Sequence, residues 1–416
     1  MRVAIIGQGY VGLPLSLAVA TAGHTVLAVE SAGDRLNALK QCRSYIVDVS
    51  DEDLREATAG GRFFPVRDLR DHSAADVYLI AVPTPTTESD EPDLRLLDSA
   101  LATVADSAGS GALIVVESTV YPGALRHHVA PLFERLSGLR AGIDVWFAHS
   151  PERIDPGRDA QYAEIPKLIG GLDERATAEA CSFYETVFRN VVPVSSSEVA
   201  EFAKLFENTF RYVNIAFANE LGRAAREMDV SFREVVTAAA SKPYGFMPFF
   251  HGPGVGGHCL PNNIHYLNHA LSSVGRPSAL LTTAAQVNNA APEYVVERLV
   301  TALKHRGQSV EGVTVLVLGL AYKPDVADAR NSPTYAISDL LAARGMQVRV
   351  ADSWVPESRE AGSFSRVPLT VEECANADAV LLVTDHDDID YGLVFENARL
   401  ILDCRGRFDS PKVEQL

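Results

Sequence analysis

Residues 2–30 read RVAIIGQGYVGLPLSLAVATAGHTVLAVE. Arg2 to Ile6 has the length and apolar content of a buried strand, and Gly7-Gln8-Gly9-Tyr10-Val11-Gly12 follows it directly. LPLSLAVATAG then reads as a helix, and HTVLAVE as a second strand ending at Glu30. Strand, glycine loop, helix, strand, acid is the order of a dinucleotide-binding unit. Gly7 permits the tight turn, Gly9 lets a pyrophosphate approach the backbone, and Gly12 lets the helix lie close on the sheet. The helix N-terminus then faces the phosphates. Glu30 stands 18 residues beyond Gly12, where a carboxylate accepts hydrogen bonds from ribose hydroxyls and repels a 2′-phosphate. This favours NAD, a preference that Arg35 weakens slightly. The alternative is a glycine turn in an ordinary α/β domain.

Outward from this unit, further strands end in polar loops. DVYLIAVPTPT enters a proline-rich loop at Val82–Thr86 that carries Pro83 and Thr84. ALIVVESTVYPG ends at Ser118-Thr119, and VWFAHSPERIDPG at Ser150-Pro151-Glu152. Ligands of open α/β sheets bind beyond the carboxyl ends of strands. Thr119 and Glu152 therefore border a cleft, or serve only as turns and caps. Ser195 to Met228 reads as one long helical region with Ser195–Ser197 as N-caps. Lys204 and Asn208 are four apart and project from one face of it, although spacing alone equally describes a solvated surface. Helical signals continue through SFREVVTAAA and from Ser278 to His305, forming a helical middle and a natural dimer interface.

Between those helices lies FFHGPGVGGHCLPNNIHYL. Gly252, Gly254, Gly256 and Gly257 make a flexible or anion-accepting loop with Cys259 at its end. A cysteine thiolate adds to an aldehyde, and the adduct can lose hydride to become a thioester. That needs a lowered thiol pKa or a nearby base, and His258 and His265 are close in sequence. The bland reading is a glycine-rich connector with a buried free cysteine. Farther on, VTVLVLG (313–319), ISDLLAARG, MQVRVADSW, DAVLLVTDH and LILDCRG form a second parallel α/β unit. It has only Gly319 after its first strand, so it is the poorer cofactor site. Lys323 and Arg330 follow, placed to neutralise a phosphate or carboxylate, or simply as surface charge. The fold class is α/β, with two Rossmann-like parallel-sheet domains joined by a central all-helical domain.

The totals bound size, partners and compartment but say little about a small substrate. A chain of 416 residues, 47% hydrophobic, exceeds one domain. A net charge of −17 argues against nucleic acid and anionic membrane as partners. The five cysteines form no CxxC pair or compact ligand cluster, so no metal is expected, and a reduced cytoplasmic protein is the simplest reading. The glycine motif starts at residue 7, with no signal peptide before it, and the apolar stretches are too short or interrupted to span a membrane.

Together these segments resemble the UDP-glucose/GDP-mannose dehydrogenase family over nearly the whole chain. The resemblance rests on GQGYVGLP, ESTVYPG, SPERIDPG, EFAKLFENTFRYVNIAFANEL, KPYGF, GPGVGGHCLP and LAYKPDVADARNSP, in that order. It implies an NAD domain at 1–194, a central helical domain with the cysteine loop and dimer interface at 195–306, and a nucleotide-sugar domain at 307–416. It implies oxidation of a sugar C6 alcohol to a carboxylate in two NAD-dependent steps, by a homodimer or larger homo-oligomer. Cys259 would be the nucleophile, Lys204 would stabilise oxyanions, and Asn208 would hold the reacting oxygen or a water. Thr119 and Glu152 would border the site, with Glu152 assisting proton transfer. The cofactor set is Gly7, Gly9, Tyr10, Val11, Gly12, Glu30, Arg35, Pro83, Thr84, Thr119 and Arg330. The substrate set is Glu152, Arg153, Lys204, Asn208, Arg211, Gly256, Gly257 and Lys323. One position departs from the pattern: the family typically has an aspartate four residues after the cysteine, and here it is Asn263. Asparagine orients water but cannot take its proton, which puts cysteine activation and thioester hydrolysis in question. KPYGF and GPGVGGHCLP favour a UDP-N-acetylhexosamine, with UDP-glucose or another nucleotide hexose as runner-up. A noncatalytic sugar-nucleotide-binding protein and a single-step dehydrogenase are the readings from other classes.

Overall fold

Most strands in this chain are near-continuous apolar runs, such as Val77–Ile80, Leu113–Val116 and Ala379–Leu382, which fits a sheet covered by helices on both faces. The computed structural model describes residues 1–46, 49–153, 164–257, 259–356 and 362–416, and of Cys259 the backbone alone. These residues form two compact units. The first comprises Met1–Glu207 and His265–Pro277; the second comprises Asn208–Ile264 and Ser278–Leu416.

The first unit holds β1 (Arg2–Ile6), β2 (Thr25–Val29), β3 (Phe63–Val66), β4 (Val77–Ile80), β5 (Leu113–Val116), β6 (Trp146–His149), β7 (Lys167–Gly171) and β8 (Val191–Pro193). They form one sheet in the order β3-β2-β1-β4-β5-β6-β7-β8. β4, β5 and β6 are buried throughout. The helix Gly12–Thr21 buries Leu13, Leu15, Val19 and Ala20 against this sheet. The glycine motif acts through distance. Gly7 sits at φ +92°, and a Cβ on Gly12 would lie 1.7 Å from the Gly7 carbonyl oxygen. A Cβ on Gly9 would meet nothing within 4 Å, so that face of the turn is open.

Two strands depart from the parallel expectation: β7 runs antiparallel to β6, pairing Ala148 with Gly171 and His149 with Gly170, and β8 follows β7 in parallel. KLIGG gives little local signal for this. Its glycines are required by close approach, since a Cβ on Gly170 would lie 2.2 Å from the Ser196 carbonyl oxygen and one on Gly171 2.4 Å from the Thr177 amide nitrogen.

The second unit holds β9 (Thr314–Leu318), β10 (Gln347–Ala351), β11 (Ser365–Arg366), β12 (Ala379–Leu382), β13 (Ile401–Asp403) and β14 (Glu414–Gln415). The order is β11-β10-β9-β12-β13-β14, all parallel. Along β9 the side chains alternate as a pleat requires. Val315 and Val317 enter the core shared with the helices Ala291–His305 and Pro333–Ala342, whereas Leu316 and Leu318 enter the core with Cys374 and Val394.

The long helix runs Ser197–Glu227 and contributes to both units. The helical run expected from Ser278 to His305 is two helices, Ala279–Asn289 and Ala291–His305, meeting at Ala290. Cys259 does not end a loop. It is the first residue of a helix, Cys259–Ser273. Pro261 hides this helix in the sequence, yet it lies in the first turn, where a missing N–H breaks no intrahelical bond.

Glu201 ties the long helix to the loop after β5. Its two carboxylate oxygens accept from the amides of Gly123 at 2.6 Å and Leu125 at 2.9 Å. Burial pushes its pKa up to about 7, against the two amide bonds that pull it down. The native state then holds a proton that the unfolded chain has lost, so this group makes stability fall as pH rises from about 4.5 to about 7. Glu201→Gln is expected to flatten that fall, by an amount on the order of a few kcal/mol across the window, read as thermal midpoint against pH for both proteins. A second pair of variants tests the glycine turn. Gly12→Ala should lower stability by roughly 2–4 kcal/mol, while Gly9→Ala should change it by less than about 1 kcal/mol, both measured by denaturant unfolding.

Candidate functional site

Polar side chains in the first unit gather beyond the carboxyl ends of its strands. At the end of β2, Glu30 is buried and its Oε1 accepts from the Ala32 amide at 2.9 Å. Tyr45 donates to the Gln8 carbonyl at 2.8 Å, closing over the glycine turn. The Arg35 guanidinium stacks on the Tyr45 ring, 5.4 Å from its centroid, so it has an aromatic partner within this unit. These features fit a dinucleotide. The turn is open at Gly9, the helix N-terminus follows it, and a carboxylate stands at the end of the second strand.

The loop after β4 is held from the other side. Tyr266 donates to the carbonyls of Thr84 and Pro85, both at 3.1 Å, and burial pushes its phenol up to about 12. His269 meets Glu91 at 2.6 Å. Thr84 is buried and its neighbour Pro83 exposed, while Thr119 is half-buried after β5.

Beyond β5 and β6 lies a buried charge network. Glu152 is 5% exposed and Lys204 8%, and Lys204 donates to the Glu152 backbone carbonyl. The two candidate residues are thus together. The sequence reading missed three further members. Lys167 opens β7 and donates to Glu117 Oε2 at 2.6 Å and to Glu152 Oε2 at 3.1 Å. Tyr184 donates to Glu117 Oε1. Burial alone would press Lys167 toward its neutral form, but the two carboxylates outweigh it and hold its pKa raised. Burial pushes Glu117 up, opposed by Lys167. His149 is driven down to about 3 by burial, with Lys204 and Lys167 adding to the effect, so its imidazole is neutral. A usable signal existed: Glu117, His149 and Lys167 are polar residues embedded in or flanking strand runs that are otherwise apolar, where charge is seldom tolerated unpaired. Arg153 is partly spoken for, with Nη2 donating to the Pro166 carbonyl at 2.6 Å and Nη1 3.5 Å from Glu207.

In the second unit, Asn208 is buried and its Oδ1 accepts from Arg211 at 3.4 Å. Asn208 lies one helical turn after Lys204 on the same helix. The glycines of the cysteine loop have a structural duty. A Cβ on Gly256 or Gly257 would approach the Tyr322 side chain to 2.8 or 2.9 Å. Gly257 donates to the Arg330 carbonyl at 2.9 Å and accepts from Asn331 at 3.1 Å. Arg330 forms an ion pair with Asp328 at 2.7 Å, and the Lys323 ammonium lies 6.0 Å from the Tyr322 ring centroid. Asn263 is buried, and its Nδ2 has no hydrogen-bond partner among the described residues. His258 and the Cys259 side chain lie outside the described residues.

Among the described residues, Asp325, His386 and Asp388 are close enough to share an ion. Both ring nitrogens of His386 already have protein partners, the Asp325 amide at 2.9 Å and Asp352 at 3.0 Å. No described helix is long and apolar enough to cross a membrane.

Residues 1–188 match the NAD binding domain of the UDP-glucose/GDP-mannose dehydrogenase family, 198–290 its central domain, and 316–410 its UDP binding domain. The chain is 33% identical to a UDP-N-acetyl-D-glucosamine 6-dehydrogenase of Pseudomonas aeruginosa over 93% of this chain and 91% of that protein. It is 32% identical to a UDP-N-acetyl-D-mannosamine dehydrogenase of Pyrococcus horikoshii over 99% of this chain and 97% of the relative. A solved UDP-D-ManNAc dehydrogenase from P. horikoshii superposes with a TM-score of 0.90, at 31% identity and covering 100% and 99% of the two chains. With three regions matched in order and relatives aligned along nearly its full length, the chain belongs to the UDP-glucose/GDP-mannose dehydrogenase family and is an NAD-dependent nucleotide-sugar dehydrogenase.

Proposed function

We propose that this enzyme oxidises the C6 alcohol of a UDP-N-acetylhexosamine to the uronate in two steps and four electrons, through a covalent adduct on Cys259, in the cytoplasm and in a pathway of polysaccharide synthesis. The observation that carries the choice of sugar is the full-length likeness to dehydrogenases named for UDP-N-acetylglucosamine and UDP-N-acetylmannosamine. UDP-glucose is the second reading. A UDP-glucose dehydrogenase of Pyrobaculum islandicum superposes with a TM-score of 0.85 at 27% identity, covering 97% of this chain and 94% of that one, so the shared fold does not choose the sugar. The functional boundaries in this reading are 1–194 for cofactor, 195–306 for the helical centre and 307–416 for the nucleotide sugar.

Gly7, Gly9, Tyr10, Val11, Gly12 and Glu30 hold the cofactor, with Arg35, Pro83, Thr84, Thr119 and Arg330 around it. NAD, when bound, supplies the hydride acceptor for both oxidations. In the first, C6 loses a hydride while the O6 proton passes through water to Glu152. The Cys259 thiolate then forms a bond to the aldehyde carbon, and the new oxyanion is stabilised by Lys204 and Asn208. Loss of the second hydride from C6 leaves a thioester. Water attacks it, the S–C6 bond breaks, and the products are a carboxylate and the free thiol. Arg153, Arg211, Gly256, Gly257 and Lys323 position the substrate. Cys259 is the first residue of the helix Cys259–Ser273. Asn263 lies one turn later on that helix, and there it can orient the attacking water but not deprotonate it.

In this reading the subunits pair through the long central helix. Val199, Phe202, Phe206, Phe210, Phe217 and Leu221 are spaced along it and exposed, Phe206 by 61% and Phe217 by 63%. A stripe of that kind on a soluble surface marks an association face.

The wild-type enzyme should form two NADH per UDP-N-acetylhexosamine and a product bearing one new carboxylate, read by absorbance and mass spectrometry. Cys259→Ala should stop at one NADH or fewer. One NADH and free aldehyde from the wild type would remove the thioester route, and tight binding with no turnover would favour the noncatalytic reading. Asn263→Asp should raise steady-state turnover several-fold with little change in the burst; unchanged burst and steady-state rates would mean that this position does not limit hydrolysis. For assembly, Phe206→Glu combined with Phe217→Glu should give monomers by light scattering. A dimer surviving both changes would place the interface elsewhere.

A further inference from the structure

Glu152 can serve as a proton acceptor only if its carboxylate is ionised in a site nearly closed to solvent. Burial opposes that. Among the described residues, the titratable groups around it are Glu117 just after β5, Lys167 from β7, Tyr184 from the helix Glu174–Tyr184 and Lys204 from the long helix, with His149 of β6 beside the two lysines and Arg153 next in the chain. His149 is neutral and Tyr184 donates to Glu117. Lys204 donates to the Glu152 backbone carbonyl, whereas Lys167 donates to the carboxylate itself. The other carboxylate oxygen, Oε1, accepts from the Arg153 amide at 2.7 Å. Lys167 is 3% exposed and lies 5.6 and 5.4 Å from the ring centroids of Tyr184 and Phe188. Its ammonium is therefore fixed by packing as well as by charge.

We infer that Lys167 is a positioning residue for Glu152: its ammonium, shared with Glu117, keeps the Glu152 carboxylate ionised and oriented to take a proton during the oxidation. This rests on the reading of Glu152 as the proton acceptor. It divides the work of the two buried lysines, leaving Lys204 for the reacting oxygen. Glu117 competes with Glu152 for the same ammonium, so removing either neighbour shifts Glu152 in a definite direction. Loss of Lys167 raises its titration midpoint. Loss of the Glu117 charge lowers it.

The test follows the Glu152 carboxyl carbon by NMR in the full-length enzyme labelled with carbon-13 glutamate, its resonance assigned with Glu152→Gln. The pH profile of kcat is measured in parallel. Lys167→Met should raise the Glu152 midpoint by one unit or more, a tenfold change in the protonation equilibrium, and move the acid limb of kcat by the same amount with KM changed less than threefold. Lys167→Arg should restore both. Glu117→Gln, which keeps size and shape, should move both the other way, and it carries the test if Lys167→Met does not fold. A Glu152 midpoint unmoved in folded Lys167→Met, or in Glu117→Gln, overturns the inference. A midpoint that moves while the acid limb stays put supports the pairing and overturns Glu152 as the proton acceptor, so the two readings fail separately.

Discussion

An ammonium buried between two carboxylates is the constraint around which the first unit is organised. Glu117, Glu152 and Lys167 are each 5% exposed or less. None could be there alone, since removing one partner of a buried ion pair typically costs about 3–5 kcal/mol. Their meeting depends on the antiparallel pairing of β6 with β7. β7 opposes Ala148 with Gly171 and His149 with Gly170, and continuing that register places Lys167 opposite Glu152. A parallel β7 would have begun at the other end of the sheet, far from the carboxyl ends where Glu117 and Glu152 emerge. Strand direction here is thus an electrostatic device, and Lys204 from the long helix joins it through the Glu152 backbone.

Close backbone approach is the second recurring theme, and glycine supplies it for different purposes. Gly12 lets a helix touch the Gly7 carbonyl, and Gly170 and Gly171 let β7 lie under neighbouring chain. In the second unit Gly256 and Gly257 fit against Tyr322, with hydrogen bonds to Arg330 and Asn331. The glycine-rich run before Cys259 is therefore anchored to the loop after β9. A segment expected to be flexible is held by named contacts, and the helix that Cys259 opens starts from a fixed point. Asn219 adds to this by accepting from the Gly252 amide at 2.9 Å while donating to Asn288.

Much of the architecture was legible in the sequence, because strands buried on both faces read as near-continuous apolar runs and a glycine fingerprint has few alternative uses. Arg2–Ile6, Thr25–Val29, Thr314–Leu318 and the long helix stand where their patterns put them. The helix beginning at Cys259 was obscured by Pro261 and two asparagines, residues that deter a helix in its interior but not in its first turn. β7 was obscured because a five-residue segment ending in two glycines carries almost no periodicity.

By itself, then, the sequence determined two α/β units and a dinucleotide turn at the start of the first. These are properties of local pattern and motif order, and local pattern is written in consecutive residues. Only the tertiary structure decided that Lys167 stands with Glu152 and Glu117, that Tyr266 grips the loop of Thr84, and that Glu201 clamps the loop after β5. Polar groups separated by 15 to 182 residues were brought within hydrogen-bonding distance by tertiary packing, which no short window of sequence encodes.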